Sequence, residues 1–147
     1  MSSTTTATLD RPLDAPGHRR HVLLVEDTES VRRAVSLGLR TSGFDVTAVA
    51  GGAEALAVYA AVRPAVVVTD LSMPGMDGLE LVRTLRVRQV EVPILMMSAR
   101  DSAQERAAAL AAGGDGFLAK PFGLTELRDR VTALAESPPH RCGTLAT

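Results

Sequence analysis

Three acidic side chains follow two apolar segments whose composition is typical of buried strands. Glu26 and Asp27 come directly after residues 22–25, and Asp70 comes directly after residues 65–69. Carboxylates packed together raise one another's pKa and cost stability unless a cation compensates their charge. Mg²⁺ takes oxygen ligands, using one or two carboxylates and keeping several waters. The three acids therefore predict a magnesium site, although each carboxylate taken alone could simply cap the helix that follows it.

Two further polar side chains end other apolar segments. Lys120 is the only lysine among the 16 lysine and arginine residues. Its compact ammonium suits a crowded pocket of carboxylates better than the planar arginine fork does. Ser98 can donate a hydrogen bond to a phosphoryl oxygen, and the small Ala99 leaves room for that group to enter. The plainer alternatives are a surface lysine and an ordinary polar residue at a strand end.

A regular alternation of strands and helices must bring these residues together. Apolar runs predict strands at residues 22–25, 44–49, 65–69, 92–97 and 117–119, and a helical segment follows each of them. Five such repeats predict an α/β fold, a doubly wound five-stranded parallel sheet with helices on both faces. We expect the flavodoxin-like order 2-1-3-4-5 with five helices. The first and third strands are then neighbours, so the three acids meet at the carboxyl edge, where such sheets bind ligands.

Length and composition fit one intracellular domain. A chain of 147 residues with 46% hydrophobic residues and a net charge of −1 supports one packed core and no strong attraction to nucleic acid or membranes. Cys142 is the only cysteine, which excludes an internal disulfide. No apolar run approaches the roughly 18 residues of a membrane span. We expect a cytoplasmic protein with a disordered arm over residues 1–20, a domain over residues 21–137 and a disordered tail over residues 138–147.

The order and spacing of the polar residues resemble the receiver domains of two-component response regulators over about residues 21–136. The resemblance implies that Asp70 accepts a phosphoryl group from a sensor histidine kinase, from a phosphotransfer protein or from a small donor such as acetyl phosphate. The chain would then be a signalling phosphoacceptor and not an enzyme, catalysing only its own phosphorylation and dephosphorylation. The motifs that carry the resemblance are Glu26-Asp27, Asp70, Met73-Pro74-Gly75-Met76-Asp77-Gly78, Ser98-Ala99 and Lys120-Pro121-Phe122.

The same resemblance assigns roles to the other site residues. Mg²⁺ would be bound by Asp70, directly by Asp27, through a water by Glu26 and by the main-chain carbonyl of Ser72. Lys120 would offset the phosphoryl charge, which is about −1.5 to −2 at neutral pH. The transfer would be in-line, and the protein would supply positioning and charge neutralisation more than covalent chemistry.

The resemblance further implies a conformational switch. Phosphorylation would draw Ser98 inward, and the ring of Phe117 would fill the space left behind, remodelling the face of helix 4, strand 5 and helix 5. The peptide bond between Lys120 and Pro121 would be cis. Gly116 stands where winged-helix transcriptional regulators carry a second acid on this face, so solvated charges are an alternative to a homodimer. The charged residues that match their dimer face are Arg106, Asp115, Glu126 and Arg130.

Three other classes of protein compete with this interpretation. A flavodoxin-like protein that binds FMN would need aromatic residues to stack the flavin, and this chain has no Trp and only one Tyr. A receiver-like interaction module without phosphorylation would lack Asp70 or its neighbours. Only eight residues follow Pro139, too few for an output domain. We therefore expect a stand-alone regulator or the receiver portion of a longer DNA-binding transcription factor, with no direct nucleic-acid binding by this chain.

Overall fold

The computed structural model describes residues 20–73, 75–100 and 102–136. Within them, strands and helices alternate along the chain. All paired strands are parallel, in the order β2-β1-β3-β4-β5, which confirms the predicted doubly wound fold. The strands are β1 (His21–Val25), β2 (Asp45–Val49), β3 (Val66–Asp70), β4 (Ile94–Ser98) and β5 (Gly116–Ala119), and the helices are α1 (Glu29–Thr41), α2 (Gly52–Val62), α3 (Gly78–Val87), α4 (Ala103–Ala112) and α5 (Leu124–Ala135).

Two apolar layers, one on each face of the sheet, explain the continuous apolar runs. Every residue of β3 and β4 is buried, because helices cover both faces of these central strands. Successive side chains of a strand point to opposite faces. Leu23 and Val67 therefore pack with residues of α2, α3 and α4, while Val22 and Val68 pack with residues of α1 and α5.

The boundaries of the five predicted strands each differ from those in the structure by one or two residues, and those of β3 and β4 have a clear local meaning. Strand β3 includes Asp70, which pairs with Met97 of β4, so the acid belongs to the strand and does not follow it. Strand β4 starts at Ile94 and not at residue 92, because Pro93 has no amide hydrogen for the ladder. Helix α4 starts at Ala103, since the Ser102 hydroxyl caps it by accepting from the Glu105 amide at 3.0 Å.

Several predictions about the ends of the chain fall outside the described residues. These are the disordered tail and, apart from Arg20, the disordered arm. Helix α5 ends at Ala135. None of the helices in the described part of the chain combines the length and the apolar composition needed to cross a bilayer.

Candidate functional site

The three predicted acids lie together at the carboxyl edge of the sheet. Strands β1 and β3 are hydrogen-bonded neighbours with Val25 opposite Thr69, so the residues that come next, Glu26 and Asp70, are brought side by side. Glu26, Asp27 and Asp70 each offer a carboxylate oxygen within 4.8 Å of the others. Glu26 is 0% exposed and Asp70 is 6% exposed. The structure thus forms an acidic cluster in which Glu26 and Asp70 are buried in the protein and Asp27 is accessible to solvent.

Lys120 provides the positive charge in this cluster. Its Nζ lies 3.0 Å from Oε1 of Glu26 and 3.4 Å from Oδ2 of Asp70. The position of Lys120 is fixed by its backbone, because its amide donates to the carbonyl of Ser98 at 2.8 Å. The peptide bond from Lys120 to Pro121 is cis, which is the geometry that the family resemblance implies.

Electrostatics leave Asp70 under-compensated. Burial raises the pKa of the Asp70 carboxyl above its ordinary value, and the charge of Glu26 raises it further. The Lys120 ammonium and the Ser72 backbone amide lower the pKa of Asp70, but by less. Burial also lowers the pKa of Lys120, and its hydrogen bond to Glu26, with the charges of Asp70 and Glu26, more than offsets this and leaves that pKa raised. The raised pKa of Asp70 thus reflects its burial first and the neighbouring charge of Glu26 second, and Lys120 offsets them only in part.

Both carboxylate oxygens of Glu26 already have protein partners. Oε1 accepts from Lys120 Nζ at 3.0 Å, and Oε2 accepts from the Thr28 amide at 3.1 Å. Those bonds hold the Glu26 side chain inside the fold, while the Asp27 side chain is not buried. This division agrees with an outer role for Glu26 and a direct one for Asp27 around a cation.

The loop after β3 passes close to Asp70 and depends on a glycine. The Leu71 amide donates to the carbonyl of Met97 at 3.0 Å, and the Gly78 amide donates to the carbonyl of Leu71 at 3.0 Å. A Cβ atom on Gly78 would collide with the backbone of Asp70 and Leu71. Asp77 caps α3 by accepting from the Glu80 amide at 2.9 Å. In the sequence, Asp77 and Gly78 are recognisable only as parts of a motif, because their individual roles depend on the folded loop.

Ser98 and Phe117 lie between the acidic cluster and the surface formed by α4, β5 and α5. Ser98 is the last residue of β4, and Phe117 lies in the neighbouring strand β5. Ser98 is 2% exposed, and its Oγ accepts from the Arg100 amide at 3.0 Å, which leaves the hydroxyl proton available. The ring of Phe117 is buried, and the Arg106 guanidinium lies over it at 4.8 Å from the centroid. Arg130 donates to the Phe117 carbonyl at 2.8 Å. Two arginines, one from α4 and one from α5, therefore contact the same residue of β5.

Asp115 requires a correction, because the structure does not place it on an exposed dimer face. Its Oδ2 accepts from Arg86 Nη2 at 2.9 Å and from the Ile94 amide at 2.8 Å, and the ion pair with Arg86 is buried. The sequence does not reveal this ion pair, because Arg86 lies 29 positions before Asp115 and on another element. Of the other predicted residues, Glu126 and Arg130 form an exposed pair along α5 at 4.0 Å.

The donor set fits a hard divalent cation. Its members are carboxylate oxygens, close together and only partly balanced by Lys120, and Mg²⁺ prefers such oxygens together with waters. The Ser72 backbone amide donates to the Asp70 carboxylate. Binding of a cation by the Ser72 carbonyl remains a prediction. A carboxylate beside an ammonium and a hydroxyl at neighbouring strand ends is also a suitable acceptor for a phosphoryl group.

Comparison with known proteins gives one consistent result. Residues 22–132 match the family described as the response regulator receiver domain. The transcriptional regulatory protein PrrA of Mycobacterium tuberculosis is 45% identical over 113 residues, which are 77% of this chain and 48% of that protein. The response regulator MprA of Mycobacterium avium is 44% identical over 113 residues, covering 77% of this chain and 50% of that protein. The chain thus spans about half the length of the curated relatives it matches.

Solved structures resemble this chain over nearly all of its described residues. The receiver domain of the Francisella response regulator 1452 has a TM-score of 0.77 and 31% identity, covering 80% of this chain and 98% of that chain. The chemotaxis protein CheY4 of Vibrio cholerae has a TM-score of 0.75 and 35% identity, covering 79% of this chain and 98% of that chain.

Proposed function

The chain belongs to the response regulator receiver domain family of two-component systems, and on that premise we propose that Asp70 accepts a phosphoryl group with Mg²⁺ bound beside it. The observation that carries the proposal is the placement of the Asp70 carboxylate, 3.4 Å from Lys120 Nζ and inside the cluster with Glu26 and Asp27. The donor would be the phosphohistidine of a sensor kinase or phosphotransfer protein, or a small molecule such as acetyl phosphate.

The reaction is a single displacement at phosphorus. A carboxylate oxygen of Asp70 attacks the phosphorus atom, a new O–P bond forms, and the P–N bond to the donor histidine breaks. The bonding electrons leave with the imidazole nitrogen, and the product is an acyl phosphate on Asp70. With acetyl phosphate the broken bond is P–O, and acetate leaves. The chain is therefore a phosphoacceptor, and we propose no separate substrate on which it would act as an enzyme.

The surrounding residues would position the group and balance its charge. Asp27, Asp70 and the Ser72 carbonyl would hold Mg²⁺, with Glu26 acting through a water. When bound, Mg²⁺ would neutralise charge that develops on the phosphoryl oxygens. Lys120 stays paired with Glu26 and faces Asp70, so its ammonium is already placed for a new oxygen on Asp70.

Ser98 and Phe117 would transmit the change to the α4–β5–α5 face. The Ser98 hydroxyl would donate to a phosphoryl oxygen, and the Phe117 ring would follow it inward. The contacts of Arg106 and Arg130 with Phe117 support this, because they connect α4 and α5 to the residue that would move. A homodimer through this face would use Arg106, Glu126 and Arg130, without the contribution from Asp115 that the sequence suggested.

The output of the whole protein is a second part of the proposal. PrrA of Mycobacterium tuberculosis is named a transcriptional regulatory protein, and this chain matches 48% of its length. That match favours the receiver portion of a transcription factor over a stand-alone regulator. The residues described here carry the receiver, and DNA binding would belong to another domain.

Intact-mass spectrometry tests the phosphoacceptor proposal. The protein is incubated with acetyl phosphate and Mg²⁺, beside the Asp70→Asn variant and a wild-type sample with EDTA. We expect one added phosphoryl group in the wild type, and none in either control. An adduct that persists in Asp70→Asn would contradict the assignment of Asp70, and an adduct that forms equally with EDTA would contradict the requirement for Mg²⁺.

A further inference from the structure

Arg32 contacts the main chain of the acidic loop. This residue of α1 donates from Nη1 to the carbonyl oxygen of Glu26 at 2.9 Å, and the same nitrogen lies 3.4 Å from the carbonyl oxygen of Asp27. Its own amide donates to the carbonyl of Thr28 at 2.8 Å. The side chain is half-buried, between the helix and the loop. Sequence reasoning assigned no role to Arg32.

We infer that Arg32 is a positioning residue for the cation site, which rests on the proposed function of that site. Three residues, Glu26 to Thr28, connect the end of β1 to the start of α1. The side chain of Glu26 is held by hydrogen bonds with Lys120 and Thr28, whereas the side chain of Asp27 is accessible to solvent. The orientation of the Asp27 carboxylate therefore depends on the main chain at residues 26 and 27, and Arg32 holds that main chain.

The choice of acceptor atoms supports a positioning role. Arginine commonly pairs with carboxylates through two parallel hydrogen bonds. Among the described residues, Arg32 forms no ion pair with Glu26 or Asp27 and donates to their carbonyl oxygens instead. The carboxylate oxygens of Asp27 thus stay available to a cation, while the loop that carries them is tied to α1.

An electrostatic role and a positioning role of Arg32 predict opposite changes in Mg²⁺ affinity when the side chain is removed. If Arg32 acted only through its charge, its removal would leave the acidic cluster more negative, and Mg²⁺ would bind more tightly. If Arg32 positions the loop, its removal lets Asp27 turn away, and Mg²⁺ binds more weakly. Loss of an outer-shell partner of metal ligands typically costs 10–100-fold in affinity. The sign of the change therefore separates the two explanations.

The neighbouring Arg33 offers a matched control. Its side chain is 78% exposed and pairs with Glu29 at 3.2 Å along α1, and among the described residues it forms no hydrogen bond with the acidic loop. Arg32→Ala and Arg33→Ala remove the same charge from adjacent positions of one helix. Arg32→Met keeps a long side chain that can pack between helix and loop but removes the donor that holds the main chain.

The experiment is a Mg²⁺ titration of each purified, metal-free chain, followed by backbone amide NMR signals, with urea unfolding as a check on folding. We expect wild-type and Arg33→Ala proteins to bind within about twofold of one another, and Arg32→Ala to bind about 10–100-fold more weakly. Faster hydrogen exchange of the Thr28 amide in metal-free Arg32→Ala is expected as well, because that amide bonds to Glu26 in the loop.

Each outcome decides between the claims. Equal or tighter Mg²⁺ binding by folded Arg32→Ala overturns the positioning role and leaves the proposed function intact. Absence of Mg²⁺ binding by the wild type contradicts the proposed function itself, and the inference with it. If Arg32→Ala does not fold, Arg32→Met decides: weaker Mg²⁺ binding than wild type supports the positioning role, and equal or tighter binding overturns it.

Discussion

Nζ of Lys120 lies 3.0 Å from Oε1 of Glu26, although the two residues are 94 positions apart in the chain. Lys120 follows β5, at one edge of the sheet, and Glu26 follows β1, which is separated from β5 by β3 and β4. The lysine side chain therefore reaches across two strand ends to the buried acid, passing Asp70 on the way. This contact, together with the one to Asp70, joins the end of edge strand β5 to the acidic cluster.

Loss of this contact should destabilise the protein. Removing one partner of a buried ion pair leaves an uncompensated charge, which costs about 3–5 kcal/mol. Lys120 keeps some exposure, so we expect Lys120→Met to lower the free energy of unfolding by about 3 kcal/mol, the lower end of that range. Urea unfolding in EDTA measures the change.

A double variant checks the origin of that loss. Lys120→Met combined with Glu26→Gln removes both charges, and we expect it to be more stable than the sum of the two single changes predicts, with a coupling of about 1–3 kcal/mol. Strictly additive losses would contradict a direct interaction between Lys120 and Glu26.

Neutralising Asp70 should stabilise the metal-free protein. Burial and the charge of Glu26 raise the pKa of Asp70 in the folded state above its ordinary value of 3.8. The ionised group therefore weakens folding; this effect is absent well below pH 3.8, grows as the pH rises from 3.8 towards the folded pKa, and is fully present above the folded pKa. Asp70→Asn should unfold at higher urea concentration than wild type at neutral pH, with the difference vanishing at low pH.

Two controls define that result. Asp129→Asn removes an exposed acid that pairs with Arg128 on α5 and should leave stability nearly unchanged. Mg²⁺ should stabilise the wild type, since a ligand that binds only the folded state raises its stability, and it should stabilise Asp70→Asn less. A lower midpoint for Asp70→Asn in EDTA would contradict the electrostatic description of the cluster.

The Arg86–Asp115 pair should affect stability without affecting the site. It lies at the amino end of the strands, where Asp115 accepts from the first amide of β4, while the acids lie at the carboxyl end. We expect Asp115→Ala to lose about 3–5 kcal/mol of folding free energy but to bind Mg²⁺ with wild-type affinity under conditions where it is folded. Asp129→Ala, an exposed acid, should lose less than about 1 kcal/mol. A Mg²⁺ affinity that falls with Asp115→Ala would show that the two ends of the sheet are coupled.

Gly78 should tolerate no side chain. A Cβ atom there would meet the backbone of Asp70 and Leu71, so Gly78→Ala must displace the loop beside the phosphoacceptor. We expect a loss of about 1–3 kcal/mol together with weaker Mg²⁺ binding in an NMR titration. Gly123 has open space around its Cβ position, and Gly123→Ala should leave Mg²⁺ binding unchanged. Wild-type Mg²⁺ affinity for Gly78→Ala would contradict the close approach.

The sequence predicted those features that depend on local pattern. Apolar runs separated by helical segments predicted a parallel sheet, whose order was expected to be that of flavodoxin-like folds. With that order, the positions of Glu26, Asp70 and Lys120 at strand ends predicted that they meet. Contacts between distant segments left no such pattern. Arg32 donates to carbonyl oxygens, which every residue has, so its acceptors cannot be recognised in the sequence. Asp115 was assigned to a surface because its partner, Arg86, is a long arginine on another helix.

The position of the phosphoryl group within the chain decides whether Asp70 is the phosphoacceptor. Borohydride reduces an acyl phosphate on aspartate to homoserine, and peptide mapping then identifies the modified position. After treatment with acetyl phosphate and Mg²⁺, the account predicts homoserine at position 70 and at no other acidic residue. Homoserine at position 26 or 27, or an adduct that borohydride does not reduce, would contradict Asp70 as the phosphoacceptor.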